Sequence, residues 1–239
     1  MSQNKLALIT GASKGLGKTL AEWLSAQGYD LIITARGADL LAQTANDLQS
    51  SNTKIHSLIG DVSDNSHQAE ITAIVQQYGQ LDLLINNAST LGTLPMPSLL
   101  DYDLNALATV FKVNVFAPLA LIQQLKPYLN DALVINLSSD AAIGGYAGWG
   151  GYGASKSALD LVSATLANEL AEDRIAVISV DPGDMRTQMH QDAFPDDDIS
   201  DRPSPDVTLP FWAWLFAQDR QAISGQRFQA QSTVWEVQA

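Results

Sequence analysis

The sequence predicts an α/β fold: one domain, 1–239, built as a doubly wound parallel sheet between two layers of helices, α/β/α. Three observations carry this expectation. Short apolar segments recur at a regular spacing. Several are unbroken apolar runs, as strands covered on both faces must be. Segments with a helical period separate them. In order, the strands are KLALIT (5–10), DLIITA (30–35), KIHSLI (54–59), LDLLIN (81–86), ALVINL (132–137) and IAVISV (175–180). After the first strand, GKTLAEWLSAQG places Leu20, Trp23 and Leu24 on one face and stops at Gly28, a residue suited to a helix C-terminus. ADLLAQTANDLQS (38–50) and QAEITAIVQQYG (68–79) repeat the pattern. Residues 184–206 interrupt it, being rich in Asp and Pro. They read either as a solvated loop or, taken with the stretch to 216, as a lid over a site. PFWAWLF (210–216) is expected to form a helix behind that lid. No internal repeat or linker divides the chain.

Composition narrows the function. With 26 acidic and 13 basic residues, the net charge is −13, which opposes binding to nucleic acid or anionic membranes. No run of eighteen apolar residues occurs, so no membrane span is expected. MSQNKLALIT reads as the start of a strand and not as a signal peptide, which favours the cytoplasm. The absence of cysteine rules out disulfides, thiol catalysis and zinc–thiolate sites.

TGASKGLG (10–17) follows the first strand and opens the first helix. Gly11, Gly15 and Gly17 allow a tight turn and close approach of the backbone to a phosphate. The helix N-terminus adds free N–H groups and partial positive charge. The same letters, GASKG, match the nucleophile elbow of serine hydrolases, which would make Ser13 a nucleophile with Asp184 and His190 as partners. Such an elbow normally follows several strands, not the first.

A second constellation lies in YGASK, where Tyr152 and Lys156 stand one helical turn apart on one face. Tyr146 is a rival acid but has no lysine four residues on. A phenol near pKa 10 matches neutral pH poorly as a proton donor. A cation about 4–5 Å away stabilises the phenolate by about 3–4 kcal/mol at an effective dielectric near 20, which would draw that pKa towards neutrality.

Together, TGASKGLG, NNAS (86–89), Asn114 in KVNVF, Ser139 in NLSSDAA, YGASK (152–156) and DPGDMRT (181–187) resemble the short-chain dehydrogenase/reductase family over about residues 5–230. The resemblance implies a Rossmann-type sheet, a nicotinamide cofactor and interconversion of a carbonyl and an alcohol. It makes Tyr152 the acid, Ser139 the residue that holds the substrate oxygen, and Asn114 the holder of a relay water. Ser138, one position off, fits less well. Lys156 would bind the nicotinamide ribose and lower the tyrosine pKa.

For the cofactor, the resemblance implies contacts from Gly11, Ser13, Lys14, Gly15, Leu16 and Gly17, from Asp61 and Val62 at the adenine, and from Asn87 and Ala88 near the adenosine. Pro182 and Gly183 would shape the turn beside the nicotinamide, with the Met185 backbone and the Thr187 hydroxyl holding its carboxamide. The second strand ends in Ala35 and Arg36 instead of an acidic residue, so Arg36 and Lys14 suit a 2′-phosphate and NADP(H). The family usually has glycine where this chain has Ser89, which raises the prospect of crowding near the cofactor. Ile143, Tyr146, Trp149, the Leu91–Leu94 loop and Met189 are the candidate substrate pocket, suited to an apolar aldehyde or ketone. A homodimer or homotetramer through the helices around 100–126 and 152–172 is expected. A regulatory or scaffold protein that binds the cofactor without turnover is the alternative.

Overall fold

The structure, a computed structural model, describes residues 4–48 and 52–238. Six strands fall where the apolar runs put them: β1 (Leu6–Thr10), β2 (Asp30–Ala35), β3 (Ile55–Ile59), β4 (Leu83–Asn86), β5 (Leu133–Leu137) and β6 (Ala176–Asp181). A further strand, β7 (Arg227–Gln229), pairs with β6 at one edge. Three residues are too few to show a period. All neighbours are parallel, in the order β3-β2-β1-β4-β5-β6-β7. The strand order reverses between β1 and β4, and ligands of such sheets gather beyond the strand ends at that crevice.

The helices are α1 (Gly15–Ala26), α2 (Ala38–Asp47), α3 (Asn65–Tyr78), α4 (Leu104–Phe111), α5 (Ala117–Leu125), α6 (Ala141–Gly144), α7 (Gly150–Glu169), α8 (Gln188–Ala193), α9 (Leu209–Phe216) and α10 (Arg220–Ile223). Gly28 lies just past α1 with φ of +86°, the left-handed geometry expected of it. Gln49 and Ser50, the end of the second helical segment read from the sequence, lie outside the described residues.

Strand side chains alternate between the two faces of the sheet. Ala7 and Ile9 of β1 pack on one side with Leu20 and Leu24 of α1 and with Phe211, Trp212 and Leu215 of α9. Leu6 and Leu8 pack on the other with Ile71 and Val75 of α3 and Leu121, Ile122 and Leu125 of α5. Each such side chain, fully buried, contributes roughly 1.5–3 kcal/mol. Phe211, Trp212 and Leu215 are 0% exposed, so one face of α9, placed by the sequence reading within or behind a lid, is part of the core.

The helical run Leu104–Tyr128 is, by length and composition alone, apolar enough to cross a membrane, yet it is part of the packed fold. Scattered polar residues such as Lys112 and Asn114 keep it from showing as one unbroken apolar run. It packs against α3 and α7, and a π-helical turn at Lys112–Phe116 carries Asn114 into the interior.

Candidate active site

The loop between β1 and α1 is held in shape by the segment after β4. Asn87 Nδ2 donates to the carbonyls of Thr10 at 2.8 Å and Gly11 at 3.1 Å. The Thr10 hydroxyl accepts from the N–H groups of Asn87 and Ala88, both at 3.0 Å. Gly11 and Gly15 have φ of +70° and +55°. A Cβ on Gly17 would stand 2.4 Å from the Gly11 carbonyl oxygen, so only glycine lets the helix start this close to the loop. No side chain caps α1, whose first N–H groups therefore face outward as a ready anion site.

These groups open onto a cleft of about 380 Å³. It is lined by Gly11, Ser13, Lys14, Gly15 and Leu16, by Arg36, Asp61 and Val62, by Asn87, Ala88, Tyr152 and Lys156, and by Pro182, Met185 and Thr187. Gly17, Asn114, Ser139 and Gly183 are not among its lining residues. Arg36 is largely exposed and lies 3.9 Å from the Asp61 carboxylate. Burial raises the Asp61 pKa, but hydrogen bonds from Ser63 and the Arg36 charge outweigh it and hold the carboxyl below its usual value. Gly183, at φ +74°, turns the chain after β6, and the Thr187 hydroxyl caps α8 by accepting from His190 N–H.

Tyr152 and Lys156 lie on one face of α7, 7% and 2% exposed. Lys156 Nζ donates to the Leu137 carbonyl at 2.7 Å and sits 5.5 Å from the centre of the Tyr152 ring. Burial pushes the ammonium pKa down to about 8, against a raising pull from Asp160. The Tyr152 phenol moves in the direction opposite to the sequence expectation. Burial pushes it up to about 12; the Ser89 and Ser139 hydroxyls draw it down, while Asp181 and Asp140 push it further up. Removing water from a phenolate costs more than these neighbours return.

The Ser139 hydroxyl donates to Asp140 at 3.0 Å and accepts from Ala141 N–H at 3.2 Å. Ser138 lines the cleft, and its buried hydroxyl has no hydrogen-bond partner among the described residues. Asn114 Nδ2 donates to the Thr90 carbonyl and to Ser155 Oγ, both at 2.9 Å. Its Oδ1 accepts from Ser89 Oγ at 3.1 Å and Thr90 N–H at 2.9 Å. Both donors and both acceptor sites of the amide are thus occupied, and the side chain pins the loop after β4. Ser89, expected to crowd the cofactor, donates to that amide, and its hydroxyl draws the Tyr152 pKa down. Below the site, Asn86 Nδ2 donates to Asn136 Oδ1 and Asn136 Nδ2 to Ser163 Oγ, each at 2.8 Å, which ties β4 and β5 to α7.

On the open side of Tyr152, Leu91 and Ala141 form an apolar cluster with Met96, Trp149 and Met189. Trp149 meets Tyr152 edge-on, with ring centres 5.9 Å apart. Ile143 and Tyr146, also candidates for the substrate pocket, are 72% and 49% exposed and stand outside this buried cluster. The hydrolase alternative finds no support in the contacts: His190 lies 3.7 Å from Asp184 and packs on Phe194, and among the described residues no hydrogen bond joins it to Ser13.

Comparison with known proteins agrees with this geometry. Residues 5–198 match the family described as short chain dehydrogenase. The oxidoreductase YciK of Escherichia coli (strain K12) is 32% identical over 237 residues, covering 95% of this chain and 92% of YciK. A short chain dehydrogenase structure from Pseudomonas syringae superposes with a TM-score of 0.89 at 30% identity, covering 96% of this chain and 95% of that one. Another from Shigella flexneri 2a, complexed with NADP, gives 0.88 at 29% identity, covering 96% and 98%.

Proposed function

This chain belongs to the short chain dehydrogenase family, and from that premise we propose that it is an NADP(H)-dependent oxidoreductase that interconverts a carbonyl and an alcohol, with Tyr152 as the acid–base. The observation that carries the reading is the buried Tyr152–Lys156 pair lining a cleft that the glycine loop also lines. The residues fit the cofactor: the glycines leave room that a Cβ would fill, the first turn of α1 is uncapped, and Arg36 and Lys14 flank the adenosine end with no carboxylate at position 35 or 36. The NADP complex of the similar Shigella protein supports the same choice.

When bound, the dinucleotide supplies or takes the hydride. The chain's own residues manage the oxygen and its proton. Tyr152 donates the phenolic proton to the carbonyl oxygen as charge develops there, and Ser139 hydrogen-bonds that oxygen. Lys156 stabilises the phenolate left behind and offers its ammonium to the ribose. Asn114 and Ser89 hold the loop and the tyrosine in register. Met96, Trp149 and Met189 exclude water from an apolar carbonyl compound, and residues 184–208 cover it. Exposed Leu104, Phe116 and Leu161 support self-association through α4, the π-helical turn that follows it and α7.

Calorimetric titration with NADPH and NADH, followed by assay on a panel of apolar aldehydes and ketones, tests this. The expected result is binding of NADPH well above NADH, turnover in the wild type, and loss of turnover with retained NADPH affinity in Tyr152→Phe. Preference for NADH would remove the Arg36 and Lys14 assignment. Full turnover by Tyr152→Phe would remove the acid.

A further inference from the structure

Arg227 reaches the site from β7, beyond the 5–198 span of the family match. Its Nε donates to Asp160 Oδ2 at 3.0 Å. One Nη donates to the Ser139 carbonyl at 2.8 Å and lies 3.4 Å from Asp181 Oδ2. The three partners come from three elements of the proposed chemistry. Asp160 sits one turn past Lys156 on α7, Asp181 ends β6 immediately before Pro182, and Ser139 follows β5. The planar guanidinium fork can serve all three acceptors at once, whereas a lysine is a single point of charge.

The charges around Asp181 give this contact a consequence. The Asp181 side chain is 5% exposed, and burial raises its pKa. Gly183 N–H donates to Oδ1 at 3.0 Å, the Arg227 charge opposes the rise, and Asp140 from the start of α6 adds to it. Tyr152 on α7 and the exposed Tyr146 both feel the Asp181 charge. We propose that Arg227 is a positioning residue: it fixes the backbone of Ser139 and keeps Asp181 paired, which limits the weight of that carboxylate on the proton held by Tyr152.

This inference rests on the carbonyl-reductase reading. Without Arg227, Asp181 would take up a proton at a higher pH than before. Above that pH its free charge would oppose formation of the phenolate, so the rate of reduction would fall as pH rises. The test is the pH–rate profile of carbonyl reduction for wild type, Arg227→Gln, Arg227→Lys and the double variant Asp181→Asn/Arg227→Gln. In Arg227→Gln, kcat should lie within about threefold of wild type at the acid end of the profile, where Asp181 is protonated, and about tenfold or more below it at the alkaline end, since one pK unit of interaction is a factor of ten. KM for NADPH should stay within about twofold. The double variant should lose this added limb. Arg227→Lys keeps the cation and should show no added limb, but a reduced kcat, because Ser139 loses its donor. A profile parallel to wild type in Arg227→Gln, at full or uniformly lowered rate, would overturn the proposal. So would the same limb persisting in the double variant. Should Arg227→Gln not fold, wild-type kcat in Arg227→Lys overturns it. A wild type that turns over no carbonyl removes the reductase reading itself, and this inference with it.

Discussion

Replacing Lys156 by Met is expected to stabilise the fold while ending turnover. The lysine is 2% exposed, and its pKa falls from 10.5 to about 8. That difference corresponds to about 3 kcal/mol spent on holding the charge inside the protein at neutral pH. Methionine has a similar length and carries no charge. It forfeits the charged hydrogen bond to the Leu137 carbonyl, a loss of about 2 kcal/mol. The net gain is about 1 kcal/mol at pH 7, or roughly 2–4 °C in Tm for a chain of this size. The sign depends on pH. Between the folded pKa near 8 and the unfolded value of 10.5, the unfolded chain binds more protons. Wild-type stability therefore rises with pH across that window, and the advantage of the variant shrinks. Urea unfolding of both proteins at pH 7 and pH 10 measures this. A Met variant no more stable than wild type at pH 7, or a gap that stays constant to pH 10, would refute the reasoning.

Two substitutions probe the rest of the site. Gly17→Ala places a methyl 2.4 Å from the Gly11 carbonyl oxygen; it should cost roughly 1–3 kcal/mol in urea unfolding and weaken NADPH binding at least about tenfold by calorimetry, and unchanged affinity would dissociate the loop from the phosphates. Ser89→Ala removes a hydroxyl that draws the Tyr152 pKa down. Alcohol oxidation, which needs the phenolate, should then slow by about threefold or more at a fixed pH near 9, while an unchanged oxidation profile would leave Ser89 with a purely structural part.

What the sequence discloses and what it hides divide along physical lines. The strands β1, β2, β5 and β6 are legible because both faces of a parallel sheet are covered, which forces continuous apolar runs. Tyr152 and Lys156 are legible because a helix converts a spacing of four into one face. The direction of the Tyr152 shift is not, since it depends on how deeply α7 is buried, and spacing carries no depth. Asn114 can be located from its neighbours, but the saturation of its amide depends on the path of the loop at Ser89 and Thr90. Arg227 was invisible for a plainer reason. Its strand has three residues, and its partners Ser139, Asp160 and Asp181 lie 46–88 positions away in the chain.

The five tryptophans divide into two optical populations. Trp23, Trp212, Trp214 and Trp235 pack with Phe211, Phe216 and Phe228 against α9, with ring centres 5.0–6.0 Å apart in the stacked and edge-on pairs. Trp149 stands apart, against Tyr152 and Phe194. The first group couples its transitions and should dominate the near-ultraviolet dichroism, reporting only whether the core is intact. The lone indole reports on the catalytic pocket. A Trp149→Phe chain thus serves as the spectroscopic blank for the wild type, and subtracting the two isolates the emission of a single chromophore in van der Waals reach of the proposed acid.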